Sequence, residues 1–136
     1  MTLNPFCRKL VSDGKDVFME LNESREMYLE TIQILSRKQN NVRAIDVGRF
    51  MGYSKPSVSN AMRKLREGGY IDVDGNGHIT LTESGEKIAD EIYDRHKELK
   101  KFLISLGVTS EVAERDACRI EHVVSEETME AIKKRV

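Results

Sequence analysis

Tryptophan is absent from this chain of 136 residues, which has only two cysteines and two prolines. The two cysteines, Cys7 and Cys118, are too few for a disulfide framework, so a buried, reactive or metal-bound role is expected for them. No apolar run is long enough to span a membrane. The first residues also lack the apolar stretch of a secretory signal. These absences favour a cytoplasmic protein that does not associate with a membrane.

Charge is unevenly distributed along the chain, although the formal net charge is only -1. Residues 37–67 contain eight basic and two acidic residues. The rest of the chain contains 14 basic and 21 acidic residues. Because DNA binding needs a local positive surface rather than a positive net charge, residues 37–67 are a candidate DNA-binding segment.

Apolar spacing and turn residues predict a mainly α-helical fold with one small β-hairpin. A helix with one buried stripe is expected from Ser24 onward, with Ser24 as its N-cap. Residues 42–50 and 54–67 predict two short helices joined through Gly52, which is the pattern of a helix-turn-helix. Alternating residues on both sides of the DGNG segment at 74–77 then predict a hairpin, which serves as the wing.

The remainder of the chain is predicted to be all helical. Thr82 opens a long helix whose apolar stripe suits a dimer interface. A helix from Ser110 to about Val124 follows, and Ser125 opens the last one. The predicted regions are an N-terminal arm (1–22), a winged helix-turn-helix domain (23–83) and an all-helical domain (84–136).

The second helix of the pair carries side chains that suit DNA recognition. Short polar groups near the start of such a helix can reach base edges, and Asn60 can pair with adenine, whereas Lys and Arg mainly contact phosphates. An ordinary solvated helix face has a similar composition, but the hairpin and the local charge favour DNA binding. The candidate DNA-binding residues are Arg43, Lys55, Pro56, Ser57, Ser59, Asn60, Arg63 and Lys64.

A possible metal site lies in the segment DACRIEHVVS. Cys118, Glu121 and His122 have the spacing i, i+3, i+4, so a helix through them would present all three on one face. Sulfur, carboxylate and imidazole together suit a divalent transition metal of intermediate softness. Further ligands are available on other helices, namely Met27, Glu30 or His96. The alternative is an ordinary core cysteine beside a surface Glu–His pair, with Met27 as packing.

These features together resemble the diphtheria toxin repressor family, the iron- and manganese-dependent repressors of bacteria. The matching segments are REMYLETI, SKPSVSNAMRKL, LTESG, DRHKELKKFL and DACRIEHVVSEE, and they span about residues 24 to 136. The last segment is the most specific, because its Cys, Glu and His match the family's metal ligands in type and spacing. The resemblance implies that the helical domain at 84–136 binds metal and forms dimers, as in the shorter, two-domain members.

The resemblance also implies two sets of metal ligands. The implied primary site consists of Met27, Cys118, Glu121 and His122. The implied second site consists of Glu30, His96 and a shared Glu121. Lys100 departs from the pattern of the iron-type members, which have a carboxylate ligand one turn after the histidine. A lysine there disfavours their second site, so an iron-like primary site with an altered second site is expected.

The expected function is a repressor, not an enzyme, for which intracellular Fe²⁺, or alternatively Mn²⁺, is the corepressor. A homodimer would place two recognition helices in successive major grooves of a near-palindromic operator, about 34–36 Å apart. The main alternative is a winged-helix regulator that senses redox state through Cys118, or a small molecule. A metalloenzyme is disfavoured because no nucleophile, general base and orienting group can be identified together.

Overall fold

The computed structural model describes residues 21–136, and the predicted N-terminal arm lies almost entirely outside these residues. The described elements are, in chain order, α1 (Leu21–Lys38), α2 (Ala44–Met51), α3 (Lys55–Glu67), β1 (Ile71–Val73), β2 (Ile79–Leu81), α4 (Glu83–Ser105), α5 (Ser110–Ile120) and α6 (Glu126–Lys133). The chain forms two compact units that divide between Ala89 and Asp90. The predicted fold class, mainly helical with one hairpin, is confirmed.

Helix α1 supplies one side of the core of the first unit. Tyr28, Ile32 and Leu35, at the spacing i, i+4, i+7, form its buried stripe, and Leu29 is buried beside them. The helix begins earlier than expected, so Ser24 lies inside it and is not its N-cap. The other buried residues of this core come from α2, α3, the hairpin and the segment before α2: Val42, Val47, Met51, Val58, Met62, Leu65, Ile71 and Ile79.

The helix-turn-helix is formed by α2 and α3, as predicted. Gly52 follows α2 with φ 76°, a left-handed conformation that costs L-residues with a side chain about 1–2 kcal/mol. Ser54 caps α3, because its side chain accepts a hydrogen bond from the backbone N–H of Ser57. Pro56 lies in the first turn, where a missing backbone N–H costs nothing.

The hairpin has the predicted position and pairs antiparallel, with Ile71 opposite Leu81 and Val73 opposite Ile79. Its turn is held by Asp74, whose Oδ1 accepts from the backbone N–H groups of Asn76 and His78 at 2.8 and 2.9 Å. The hairpin is also tied to the segment before α2, because the backbone N–H of Ile79 donates to the carbonyl of Val42 at 2.7 Å.

The junction between the hairpin and α4 depends on the Thr and Gly of the LTESG segment. The Thr82 hydroxyl donates to the carbonyl of Gly69 at 2.7 Å, and the same oxygen accepts from the N–H of Gly85 at 3.2 Å. A Cβ at Gly85 would collide with the carbonyl oxygen of Tyr70. Gly85 is therefore required, because the start of α4 packs closely against the backbone of Tyr70 in the loop between α3 and β1.

The second unit contains the rest of α4 with α5 and α6. Its core is formed by Leu99, Ala117 and Met129, with Leu103 and Ile120 packed against them. Ser125 caps α6 as predicted, whereas α5 is capped by Thr109 and not by Ser110. Helix α4 ends at Ser105, and the next residue, Leu106, is 65% exposed.

No helix among residues 21–136 is both long enough and apolar enough to cross a membrane. The domain boundary expected after residue 83 stays a prediction.

Candidate nucleic-acid interface and metal centre

Helix α3 separates buried apolar residues from exposed polar ones. Val58, Met62 and Leu65 are buried at the predicted spacing of i, i+4, i+7. All seven candidate DNA-binding residues on this helix are exposed: Lys55, Pro56, Ser57, Ser59, Asn60, Arg63 and Lys64. The arrangement gives a convex basic surface that can enter a major groove.

Two of these residues are already connected to each other. Arg63 donates to Asn60 Oδ1 at 2.7 Å through one terminal nitrogen and to Glu67 Oε1 at 3.1 Å through the other. The Arg63 and Glu67 side chains are 51% and 63% exposed, so their ion pair adds little stability. These two contacts orient the Arg63 guanidinium beside Asn60, and little energy is needed to break them.

Arg43 lies beside the hairpin. Its guanidinium is 3.2 Å from His78 Nε2, and His78 Nδ1 is 3.3 Å from Asp74 Oδ2. The His78 ring therefore lies between the Arg43 guanidinium and the Asp74 carboxyl group. The backbone N–H of His78 and the other hydrogen bonds to Asp74 lower the pKa of that carboxyl group, despite partial desolvation. Arg43 is thus exposed next to the wing, where the basic surface continues.

The metal-centre candidate lies in the second unit. One ligand atom from each of His96, Cys118 and Glu121 lies within 4.8 Å of the other two. All three residues are buried, with exposed fractions of 5%, 1% and 0%. Imidazole, sulfur and carboxylate are thus brought together away from water, which is the environment in which a cation compensates a buried carboxylate.

His96, on α4, lies between two carboxylates. Its Nδ1 is 2.8 Å from Glu121 Oε2, and its Nε2 is 2.8 Å from Glu114 Oε1. Burial alone would lower the pKa of His96, but the two carboxylates outweigh burial and raise the pKa. Without metal, the imidazolium form can donate one hydrogen bond to each carboxylate.

Glu121 is shared between two histidines. Its second oxygen, Oε1, is 3.3 Å from Nε2 of His122, whose side chain is only 4% exposed. Burial alone would raise the pKa of Glu121, but His122 and His96 lower it. The residue is therefore held as a carboxylate, the protonation state that binds a metal.

Glu114 was missed by the sequence analysis. It accepts from Lys100 Nζ at 2.9 Å in addition to its contact with His96. Burial opposes ionisation, but Lys100 and His96 together lower the pKa of Glu114. The spacing of Glu114, Cys118 and Glu121, which is i, i+4, i+7, contains the signal that could have identified it, since it places all three on one helical face.

The expectation that one helix carries Cys118, Glu121 and His122 is wrong. Helix α5 ends at Ile120, Glu121 is its C-cap, and His122 lies in the turn that follows. Residues 121–123 form a turn, and Ser125 is extended, at φ -75° and ψ 159°, where it caps α6. Glu121 and His122 nevertheless contact each other, because Glu121 keeps an αR conformation.

Met27 and Glu30, the other predicted ligands, lie on α1 in the first unit. Met27 is partly buried, and Glu30 is 2% exposed. A carboxylate so deeply buried needs compensation by hydrogen bonds or a cation. Their part in metal binding stays a prediction, as does the assignment of the other site residues.

Family models match both parts of the chain. The iron dependent repressor N-terminal DNA binding domain matches residues 20–79, and the iron dependent repressor metal binding and dimerisation domain matches residues 82–136. The chain is 39% identical over 128 residues to the transcriptional regulator MntR of Escherichia coli, which covers 90% of this chain and 83% of that regulator. The chain belongs to the iron-dependent repressor family. It is therefore a metal-dependent transcriptional repressor, as the sequence resemblance predicted.

Other members of the family agree with this assignment. The iron-dependent repressor IdeR of Mycobacterium tuberculosis is 31% identical over 109 residues, which are 79% of this chain and 47% of IdeR. A solved manganese-dependent transcriptional repressor in complex with manganese is 31% identical with a TM-score of 0.72, and the match covers 82% of this chain and 51% of that one. The manganese regulator SloR gives a TM-score of 0.69 at 28% identity, with 82% and 52% covered. This repressor spans about half the length of IdeR and of these solved regulators.

Proposed function

We propose that Fe²⁺ is the corepressor and that the cluster around Glu121 forms its binding site. This proposal is supported by the buried cluster of His96, Cys118 and Glu121, because the cluster lies in the part of the chain that matches the family's metal-binding domain. The residues present fit a metal, since an imidazole and a fully buried carboxylate meet there, and Cys118, which is disulfide-bonded in this structure, adds a thiolate once it is reduced. The regulated genes would be those of metal homeostasis.

The proposed ligands form two overlapping groups. The primary ion is held by Met27, Cys118, Glu121 and His122. A second ion, if one binds, is held by Glu30, His96 and the shared Glu121. The distance of 2.8 Å between His96 and Glu121 supports the shared role of Glu121. Lys100, which pairs with Glu114 at 2.9 Å, stands where iron-type relatives have a carboxylate ligand, so it opposes a second site of their kind.

Iron is favoured over manganese by the sulfur donors. Cys118 and Met27 are softer than the oxygen ligands that Mn²⁺ prefers, and Fe²⁺ accepts thiolate together with imidazole and carboxylate. Cys118 can contribute as a thiolate only while it is reduced. Mn²⁺ is the second candidate, favoured by the presence of Glu30 and by the 39% identity to MntR.

Metal binding would act by selecting one arrangement of a homodimer on a near-palindromic operator. Reversal of a two-state equilibrium from 1:99 to 99:1 needs about 5.5 kcal/mol of differential binding. Structural metal sites supply roughly 10–16 kcal/mol. A single ion per subunit is therefore sufficient to control DNA binding.

An operator-binding titration tests the corepressor role. The protein is kept reduced and free of oxygen, and its affinity for operator DNA is measured with Fe²⁺, with Mn²⁺ and with a chelator. Tighter binding with Fe²⁺ at equal free metal supports the proposal, and equal affinity with Fe²⁺ and chelator contradicts it. Cys118→Ala should lose the preference for Fe²⁺, whereas Ser110→Ala, an exposed residue on the same helix, should keep it.

The redox alternative predicts a different outcome for the same protein. If Cys118 is a redox switch, peroxide should abolish DNA binding even with the metal saturating, and Cys118→Ala should be insensitive to peroxide. Loss of metal dependence in Cys118→Ala with an unchanged response to peroxide favours the metal proposal.

A further inference from the structure

A pocket of about 490 Å³ opens between the start of α1 and the exposed side of α3. It lies within the first unit, and its lining includes Arg25 and Tyr28 of α1, Ser57, Asn60 and Lys64 of α3, and Tyr70. Among the described residues that line it, two are basic and none is acidic. The pocket is therefore positive and has hydroxyl and amide groups in its wall.

Arg25 is held in place on the pocket wall. Its Nη1 donates to the hydroxyl of Tyr70 at 3.0 Å, and its Cζ lies 5.0 Å from the centre of the Tyr70 ring. Its Nε is buried and makes no hydrogen bond with any described residue. Because Arg25 lines the pocket, its guanidinium can offer charged donors in one plane to an anionic ligand there.

The opposite wall belongs to the recognition helix. Ser57, Asn60 and Lys64 have the spacing i, i+3, i+7, so they lie on one side of α3. Asn60 is also a candidate for reading bases. A group bound between this wall and Arg25 would lie beside the groove that α3 enters, where the DNA backbone runs.

We propose that this pocket binds a phosphate group of the operator backbone, with Arg25 as a phosphate-binding residue outside the helix-turn-helix. The proposal rests on the DNA-binding function of this family. The Tyr70 hydroxyl and ring orient the guanidinium, and Lys64 and Ser57 supply donors from α3. A guanidinium suits phosphate because it offers paired donors in one plane. The contact fixes the register of α3 on the duplex and does not read sequence.

The salt dependence of DNA binding tests the proposal. Each phosphate contact contributes about -0.9 to the slope of log K against log salt. Arg25→Gln should reduce the slope by about 0.9 and weaken operator and unrelated DNA by the same factor. Arg25→Lys should keep the slope, because the charge remains. Lys87→Gln, an exposed cation of α4 that does not line the pocket, is the matched control and should leave the slope unchanged.

Folding and ligand source need separate measurements. Circular dichroism and thermal unfolding of Arg25→Gln should match the parent protein, and Tyr70→Phe, which removes only the hydroxyl, should weaken DNA binding by a smaller factor without changing the slope. An unchanged slope in Arg25→Gln overturns the proposal. A second result to distinguish is that inorganic phosphate binds tightly in a way that depends on Arg25 while the slope for DNA stays unchanged. That result would assign the pocket to a small anion and would also overturn the proposal. Binding to unrelated DNA at low salt is measured without metal. The result therefore does not depend on whether Fe²⁺ is the corepressor.

Discussion

The two units of this repressor build their functional surfaces in different ways. In the DNA-binding unit, seven candidate residues lie on one exposed face of α3 and follow from the spacing along a single helix. In the helical unit, the cluster joins His96 of α4 with Cys118 of α5 and Glu121 at its C-cap. A convex surface needs one helix, whereas a buried ligand set must be enclosed from more than one side. The metal centre is therefore more sensitive to tertiary packing.

Loss of the Glu121 carboxylate should have the largest effect. Glu121→Gln keeps the size of a fully buried side chain but removes the charge that faces His96 and His122. We expect Fe²⁺ affinity to fall more than the roughly 10–100-fold caused by loss of a supporting residue. Metal titration of the reduced protein measures this. Glu127→Gln on α6, which is exposed, is the control, and equal affinity in both variants would remove Glu121 from the site.

The junction of the hairpin with α4 should be the weak point of the DNA-binding unit. Gly85→Ala places a Cβ against the carbonyl oxygen of Tyr70. Overpacking of this kind costs about 1–3 kcal/mol, and the upper end is expected because the opposing atom belongs to the backbone. Thermal unfolding tests this against Gly75→Ala, where a Cβ meets no atom within 4 Å. Equal melting temperatures of the two variants would show that the junction accommodates the added Cβ without strain.

Glu114 should matter to the metal centre through His96. Glu114→Gln removes the carboxylate that contacts His96 Nε2 at 2.8 Å and Lys100 at 2.9 Å. Loss of such a supporting partner lowers metal affinity by about 10–100-fold, which corresponds to roughly 1.4–2.7 kcal/mol. The control is Glu111→Gln, which is exposed on the same helix. An affinity as low as that of Glu121→Gln would instead make Glu114 a direct ligand.

Two serine caps offer the smallest and most closely matched comparison of the units. Ser54 accepts from the N–H of Ser57 at 3.3 Å, and Ser125 accepts from the N–H of Thr128 at 3.2 Å. Each Ser→Ala change should cost about 1 kcal/mol, within the range of 0.5–2 for such caps. Chemical denaturation measures both. A much larger cost at Ser125 would show that the turn containing His122 depends on the cap of α6.

Local sequence rules predicted the first unit well because its elements depend on neighbours in the chain. Val58, Met62 and Leu65 are buried as their spacing indicates, and the turn of the hairpin forms at the DGNG segment. Two helix boundaries differed: Ser24 is inside α1, and α2 spans Ala44–Met51 where residues 42–50 were expected. Polar residues that can cap a helix also occur within helices, so this signal is ambiguous by itself.

The second unit was predicted less completely because its site joins distant parts of the chain. Cys118, Glu121 and His96 were candidates, but the end of α5 at Ile120 and the role of Glu114 were not foreseen. His96 and Glu114 are separated by 18 residues, and no periodicity reveals a contact between two helices. Lys100 was noted only as a departure from the family, although it forms an ion pair with Glu114.

The sequence by itself determined the family, the helix-turn-helix with its hairpin and the exposed basic face of α3, since these depend on spacing and local charge. Only the tertiary structure decided that His96 lies between two carboxylates, that His122 is in a turn, and that Arg25 and Tyr70 flank the recognition helix. The physical reason is that a helix face is set within one segment, whereas a buried charge cluster or a pocket exists only after separate segments pack together.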